Sequence, residues 1–281
     1  MDLLRLSQFP VVAAGSKATL VTDELAGRSL LALIFEQGGT FTKAQMTEIR
    51  LRLDGKDLTE GLSGQQHQDL NNYNGLPDVA NYVMVPFGDP TARTIRGQWL
   101  GAIDLSVYRA PLEIEIDVDA AATSPTLQAY ALVGPPKLAM GIGFSEAEAA
   151  IIRALIRTVI QPAGAVTKKS YQIGLGSEAG ARLRQLAFFH SALTSVEFKK
   201  GGFVKHDDIA TALNSAVAQQ FARVPQSGLY VLDRIIDANQ GEAETTLKQD
   251  GTAWPFQVNL TTSGADTITS VADVHTALPL L

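Results

Sequence analysis

The sequence contains no cysteine, which excludes disulfide bonds and metal sites built on thiolates. It contains no run of about 18 consecutive apolar residues, so the sequence predicts no membrane-spanning helix. Lysine and arginine number 23 against 29 acidic residues, and no basic cluster stands out that would neutralise nucleic-acid phosphates. Tryptophan occurs only twice, which gives little material for the aromatic platform of a sugar-binding site. Hydrophobic residues nevertheless make up 46% of the 281 positions, enough for one large domain or two of about 140 residues.

Two segments of the chain repeat the same pattern. TEIRLRLDGKDL and TSVEFKKGGFVK place Ile49 and Val196, which are equivalent strand positions, 147 residues apart. In both segments apolar and polar side chains alternate before a glycine turn, as they do in a strand with one buried face. This pattern predicts that Leu51 and its counterpart Phe198 point inward.

The likeness continues downstream of both segments. A helix-compatible stretch follows each one, at 62–75 and at 207–223, and a short apolar strand with a tyrosine comes next. Aligning those strands on Tyr82 and Tyr230 gives a separation of 148 residues. A strand, a glycine turn, a helix and a strand that recur at near-constant spacing indicate a duplicated β domain.

Short strand-like segments account for most of the remaining sequence. We predict strands at 17–22, 28–35, 48–55, 80–87, 102–108, 111–119 and 127–134, and again at 168–175, 182–191, 194–201, 228–235, 243–250, 255–263 and 266–274. Seven or eight short strands in each half, with a helix inserted in both, predict an all-β fold of two tandem eight-stranded jelly rolls, a double jelly roll with short helical insertions.

Two prolines interrupt the chain between the halves. Pro135 and Pro136 end the last strand of the first half, because each lacks a ladder donor and fixes an extended backbone. We therefore predict an N-terminal jelly roll over 1–135 and a C-terminal jelly roll over 136–281.

The segment after this boundary predicts a long helix over about 145–161. Ser145 is a good N-cap, and Glu148 three residues later completes a capping box. Isoleucine, leucine and valine recur at helical spacing along SEAEAAIIRALIRTVIQ, and a proline follows it.

One predicted strand carries an acidic face. PLEIEIDVD alternates apolar residues with Glu113, Glu115, Asp117 and Asp119. Converging carboxylates suit calcium, which at a subunit interface would offset the repulsion between acidic chains. A solvated outer sheet face explains the same pattern, so the four residues are candidate calcium ligands with a structural alternative.

The residue types that usually carry catalysis form no recognisable constellation. The four histidines are scattered, with no pair at metal-ligand spacing on a helix (His67, His190, His206, His275). His206 precedes two aspartates, which we interpret as the acidic N-terminus of the helix over 207–223. The glycine-rich stretch 174–180 lacks the spacing of a phosphate-binding loop. We identify no catalytic and no cofactor-binding residue, and we predict that the protein is not an enzyme.

Four segments resemble one family of viral proteins. They are FPVVAAGSKATL at 9–20, EIRLRLDGKDL at 48–58, LEIEIDVDAAATSPTLQAYA at 112–131 and LTSVEFKKGG at 193–202. These segments are similar to the major capsid protein of corticovirus-type bacteriophages, which are icosahedral and contain a membrane. The resemblance covers most of residues 9–135 and is patchier in the second half.

The resemblance implies a structural subunit of a virion, made in the cytoplasm of a bacterial host. Proteins of this family form homotrimers whose six jelly rolls make a pseudo-hexagonal capsomer, and capsomers tile an icosahedral shell over an internal lipid membrane. The implied partners are other copies of the chain, neighbouring capsomers, penton and minor membrane-associated capsid proteins, and the internal membrane, without direct contact to nucleic acid. No cofactor is implied, and calcium is a candidate for stabilising the shell.

Two other function classes stay open at this point. One is a phage spike or a receptor- or carbohydrate-binding β-sandwich. The other is a tandem-sandwich glycan hydrolase, which needs a pair of carboxylates in a cleft. The duplicated domain and the family resemblance favour the capsid subunit.

Overall fold

Most segments that alternate apolar and polar side chains form β-strands. A computed structural model describes residues 1–108, 110–175 and 180–281. The chain divides into two units: unit 1 is Met1–Ala154 with His275–Pro279 and Leu281, and unit 2 is Leu155–Val274 with Leu280.

Unit 1 is built from two sets of antiparallel strands around one core. Its elements are β1 (Asp2–Arg5), β2 (Lys17–Thr22), β3 (Ser29–Gly38), β4 (Met46–Leu53), β5 (Lys56–Leu62), α1 (Gly64–Tyr73), β6 (Tyr82–Pro86), α2 (Ile95–Leu100), β7 (Ile103–Asp104), β8 (Leu112–Val118), β9 (Thr126–Gly134) and α3 (Glu146–Ala149). One set has the order β1-β9-β3-β6, with β7 paired to β3, and the other has the order β5-β4-β8-β2. Phe35 and Val83 from the first set meet Leu51 and Ile114 from the second in the core.

Unit 2 has the same construction. Its elements are β10 (Ile151–Ile160), which begins in unit 1, β11 (Val166–Tyr171), β12 (Arg182–Phe189), β13 (Leu193–Lys200), β14 (Phe203–Ala210), α4 (Thr211–Gln220), β15 (Leu229–Asp233), β16 (Glu244–Thr245), β17 (Phe256–Thr262) and β18 (Ile268–Ala277). One set of strands has the order β15-β12-β18-β10, with β16 paired to β12, and the other has the order β11-β17-β13-β14. Large side chains fill its interior, where the rings of Phe188 and Tyr230 meet edge to face with centroids 6.3 Å apart.

The sequence repeat is a structural duplication. The order β6-β3-β9-β1 matches β15-β12-β18-β10, and β5-β4-β8-β2 matches β14-β13-β17-β11, so every strand of these sets has a counterpart. Strands β4 and β13 begin at Met46 and Leu193, and helices α1 and α4 begin at Gly64 and Thr211, both 147 residues apart. The predicted double jelly roll is confirmed.

One position of the predicted repeat is wrong by a residue. Strands β6 and β15 begin at Tyr82 and Leu229, so their separation is 147 residues and not 148. Tyr230 is 1% exposed and faces the core as Val83 does, whereas Tyr82 is 37% exposed. Because side chains alternate between the two faces of a strand, aligning the tyrosines exchanged the inside and the outside.

The long helix predicted over 145–161 is also wrong. The capping box does form, since Ser145 N donates to Glu148 Oε2 at 3.0 Å and Glu148 N donates to Ser145 Oγ at 3.3 Å. Helix α3 nevertheless ends at Ala149, and the residues that follow form β10. They are rich in β-branched side chains, which favour a strand, and both faces of the first half of β10 are buried. Periodicity alone cannot separate such an apolar run from a buried helix.

Helix α4 is shorter than the prediction over 207–223. The two aspartates lie in β14, and the N-cap of the helix is Ala210, which makes no side-chain capping bond. The carboxylate of Asp208 accepts a hydrogen bond from the Ser195 hydroxyl and lies 3.4 Å from Lys168 Nζ. These contacts extend the strand, so the interpretation of the aspartates as helix caps is wrong.

Unit 1 extends beyond the boundary predicted at Pro135. Lys137 is fully buried in unit 1, and its ammonium group donates to Leu100 O at 2.8 Å and to Ile151 O at 2.6 Å. These hydrogen bonds connect the segment after the two prolines to unit 1. The continuous part of unit 1 ends at Ala154. The division into domains over 1–135 and 136–281 stays a prediction.

The chain returns to unit 1 after building unit 2. Leu278 is buried in the core of unit 1, and its amide donates to Tyr108 Oη at 3.2 Å. Lys56 Nζ donates to the backbone oxygen of Leu281 at 2.6 Å. Unit 1 is therefore completed by residues that follow unit 2 in the sequence.

Candidate functional site

Strand β8 carries most of the acidic residues identified as candidate calcium ligands. Glu113, Glu115 and Asp117 lie on its half-buried face, opposite the buried Ile114 and Ile116. The predicted alternation is therefore confirmed. The strand lies between β2 and β4, so the side chains of those two neighbours decide what the carboxylates contact.

Cations from the two neighbouring strands pair with Glu115 and Asp117. Lys17 Nζ on β2 lies 3.3 Å from Glu115 Oε2 and 3.7 Å from Asp117 Oδ1. On β4, Arg52 Nη1 lies 3.5 Å from Glu115 Oε1, and Arg50 Nη1 lies 3.9 Å from Glu115 Oε2. The acidic face is therefore part of a cross-strand ion-pair network, which favours the pairing of the three strands.

The fourth candidate residue has a local role. Asp119 follows β8, and its Oδ1 accepts a hydrogen bond from the Ala121 amide at 2.7 Å. Within the described ranges, no group of three or more histidine, aspartate or glutamate side chains is arranged to hold a metal ion. Calcium binding by these residues stays a prediction.

The equivalent surface of unit 2 has a different charge pattern. Glu197 on β13 occupies the position of Arg50 on β4, and Asn259 on β17 occupies the position of Glu115. Asn259 Nδ2 donates to Glu197 Oε1 at 2.5 Å, and Lys199 Nζ lies 2.9 Å from the same oxygen. These contacts, with that of Lys199 first, lower the pKa of Glu197. The duplicated fold therefore presents two chemically distinct faces.

The histidine next to the aspartates is held in a structural contact. His206 Nε2 lies 2.5 Å from Tyr230 Oη, whose hydroxyl donates to Ile209 O at 3.0 Å. Burial lowers the pKa of His206 to about 4 and raises the pKa of Tyr230. A neutral imidazole that donates to a buried hydroxyl is suited to packing and poorly suited to general-base catalysis at neutral pH. Of the glycine-rich stretch 174–180, residues 176–179 lie outside the described residues.

Unit 1 has an apolar groove on the outer side of the β1-β9-β3-β6 set. We call it the unit 1 groove; it encloses about 520 Å³ and is lined by the uncharged residues Leu3, Ile34, Gln68, Pro77, Val79, Tyr82, Met84 and Tyr130. The hydroxyls of Tyr82 and Tyr130 donate to the Glu36 carboxylate at 3.1 Å and 2.7 Å. These bonds raise the pKa of both tyrosines and hold their rings at the groove.

Unit 2 exposes an apolar surface on α4 and the residues just after it. We call it the α4 stripe; its members recur every three or four positions and are all exposed (Leu213, Val217, Phe221, Val224). No charged residue occurs between Asp208 and Arg223. Contiguous exposed apolar surface is typical of a protein interaction site.

Neither surface is evident from the sequence alone. The α4 stripe has one signal, an uncharged helix with apolar residues at helical spacing, but that signal predicts a buried face without saying what covers it. The unit 1 groove has no such signal, because its lining comes from separate strands and loops.

Solved structures of viral capsid proteins share this fold. The major capsid protein P2 from bacteriophage PM2 superposes with a TM-score of 0.81 at 18% identity, over 97% of this chain and 96% of that one. The STIV MCP has a TM-score of 0.67 at 12% identity, over 100% and 98%. A structure from Sulfolobus Turreted Icosahedral Virus has a TM-score of 0.64 at 14% identity, over 99% and 91%.

Two protein-family models match the sequence of the chain. The model of the viral coat protein P2 N-terminal domain matches residues 3–134, and that of the C-terminal domain matches residues 152–278. No curated protein sequence matches the chain. The two matches select the capsid subunit from the three function classes that the sequence leaves open, and capsid subunits are not enzymes. The chain therefore belongs to the viral coat protein P2 family and is a major capsid protein, a structural component of the virion.

Proposed function

We propose that three copies of this capsid protein assemble into a pseudo-hexagonal capsomer. The observation that supports the proposal most strongly is the duplication, in which the two units share one strand order and a spacing of 147 residues between Met46 and Leu193. Three chains supply six similar jelly rolls. A ring with three-fold symmetry can then occupy a lattice position that has six neighbours.

The mass of the purified protein in solution tests this proposal. Light scattering after size-exclusion chromatography is expected to give about 90 kDa, three times the chain mass of 30.0 kDa. Negative-stain images of the same sample are expected to show a hexagonal outline. A monomer at every accessible concentration would contradict the proposal.

We propose further that the capsomers form an icosahedral shell around an internal lipid membrane. The partners in such a shell are neighbouring capsomers, penton proteins and minor membrane-associated capsid proteins. A net charge of −6 supports the absence of direct nucleic-acid contact, because an acidic surface repels phosphates. No helix in the described part of the chain is long and apolar enough to cross a membrane. Electron cryomicroscopy of native particles is expected to show bilayer density beneath the lattice, and capsomers resting directly on the genome would contradict this arrangement.

Calcium-assisted shell stability belongs to the same proposal. Lys17 and Arg52 already engage Glu115, and Lys17 also lies near Asp117. A calcium site would therefore draw on Glu113, on Asp119 and on oxygen ligands from a second copy. Hard cations need several such oxygens to converge.

A further inference from the structure

The outer face of helix α4 differs from that of its counterpart α1. Leu70 and Val217 occupy equivalent positions in the two helices. Leu70 is 7% exposed, whereas Val217 is 43% exposed. The next turn repeats the difference, since Tyr73 is buried and Gln220 is exposed. The same helix face is therefore covered in unit 1 and open in unit 2.

In a closed ring of duplicated chains, each unit meets a unit of a neighbouring copy. A helix face that its own unit leaves open is therefore available for contact with another copy when the ring forms. The α4 stripe meets this description. It also has the uncharged, apolar character of a surface that is buried on assembly.

A three-fold ring needs two different surfaces on each chain, because its copies meet head to tail. The described residues provide a convex apolar surface, the α4 stripe, and a concave one, the unit 1 groove. Neither the groove lining nor the segment 209–222 includes a charged side chain. The Glu36 carboxylate beside the groove accepts hydrogen bonds from Tyr82 and Tyr130, so the contact would bury no charge that lacks a hydrogen-bond partner.

The strands next to the two surfaces have open edges. β14 leads into α4 and has β13 as its one neighbour among the described strands, while β1 borders the unit 1 groove and has β9 as its one neighbour. Phe203 on β14 and Leu3 on β1 are both exposed. Exposed edge strands with apolar side chains are sites of pairing with another chain.

From these observations we infer that the α4 stripe of one copy packs into the unit 1 groove of the next copy, with the edges of β14 and β1 alongside. Three such contacts close the ring. The inference rests on the trimer proposed above and assigns its subunit interface, which we call the seam, to these two surfaces.

Charge substitutions test the two surfaces separately. Val217→Glu on the α4 stripe and Val79→Glu in the unit 1 groove are each expected to convert the trimer to a 30.0 kDa monomer in light scattering. The matched controls are Val159→Glu in unit 2 and Val21→Glu in unit 1, which replace exposed valines outside both surfaces and are expected to leave the trimer intact. Far-ultraviolet circular dichroism checks that each variant is folded. Trimers of normal stability in both Val217→Glu and Val79→Glu would overturn the assignment and leave the trimer proposal standing.

Cross-linking tests contact between the surfaces directly. The chain has no cysteine, so a Val217→Cys/Val79→Cys variant carries only the two introduced thiols. A short bismaleimide reagent is expected to give covalent dimers and trimers of this variant and no such species from either single variant or from Val159→Cys/Val21→Cys. A trimer that resists cross-linking in the first variant would place the seam elsewhere. A wild-type protein that is always monomeric would overturn the trimer and, with it, this inference.

Discussion

His67 shows how burial acts on a titratable side chain in this fold. It lies on α1, is almost fully buried, and its Nε2 has no hydrogen-bond partner among the described residues. Burial, followed by repulsion from Arg153, lowers the pKa of His67 from 6.5 to about 3. The folded protein therefore keeps this ring neutral at pH values at which an unfolded chain protonates it.

This difference in protonation predicts that the free energy of unfolding depends on pH and decreases in acid. As pH falls from about 6.5 towards 3, the unfolded state takes up a proton that folded His67 does not, so the free energy of unfolding decreases. Between pH 7 and pH 5 the loss from this residue is expected to be about 2 kcal/mol. In urea unfolding, His67→Gln is expected to lose less stability than the wild type over that range. Parallel pH dependences of the two proteins would contradict the assignment.

A second residue-scale prediction concerns Lys137. Burial lowers its pKa to about 7, and its ammonium group donates to the buried carbonyl oxygens of Leu100 and Ile151. Lys137→Met removes both donors and is expected to lower the free energy of unfolding by about 3 kcal/mol, because buried acceptors are left without partners. Lys56→Met is the matched control, since Lys56 makes an exposed bond to a backbone oxygen. Equal decreases in the free energy of unfolding of the two variants would show that the buried bonds stabilise the protein no more than the exposed one.

At the scale of elements, the sequence predicts strands best where one face of the strand is buried and the other is exposed to solvent. Strands β4 and β8 meet this condition, and their inward residues follow the alternation. Strand β10 does not, because burial of both faces in its first half removes the period of two. The ion pairs of Glu115 were not predictable, since its cations come from strands distant in the sequence. The sequence predicts a helix in the segment of the α4 stripe, but the exposure of the α4 stripe depends on what the rest of unit 2 covers.

Two core strands permit a paired test of the two units. Leu51 on β4 and Phe198 on β13 are both fully buried, as predicted. Leu51→Asp is expected to unfold unit 1 and Phe198→Asp to unfold unit 2, because a buried unpaired carboxylate costs several kcal/mol. Hydrogen exchange followed by mass spectrometry should show loss of amide protection mainly in the unit that carries the change. Val21→Asp, at an exposed strand position, is expected to keep native protection.

At the scale of the whole molecule, the duplication was the most predictable property. Conserving strand order requires similar spacing of turns and apolar runs, and that spacing is visible in the sequence between Ile49 and Val196. The division of the chain was less predictable. It depends on buried contacts such as those of Lys137 and Leu278, which join distant segments.

Calcium bridging makes a prediction about assembled particles. If calcium joins neighbouring copies near Asp119, EGTA is expected to lower the melting temperature of shells and to leave that of isolated capsomers unchanged. Asp119→Asn shells should then melt at the lower temperature with or without EGTA. Wild-type shells with the same melting temperature in calcium and in EGTA would contradict a role for calcium in shell stability.

The docking of Leu278 in unit 1 also constrains when the protein becomes competent to assemble. A ribosome releases Leu278 after residues 155–274 of unit 2, so the first jelly roll lacks part of its interior throughout the synthesis of that segment. Nascent chains therefore cannot complete the core of unit 1 while unit 2 is still being synthesised. This order of synthesis would delay polymerisation until unit 2 has been made.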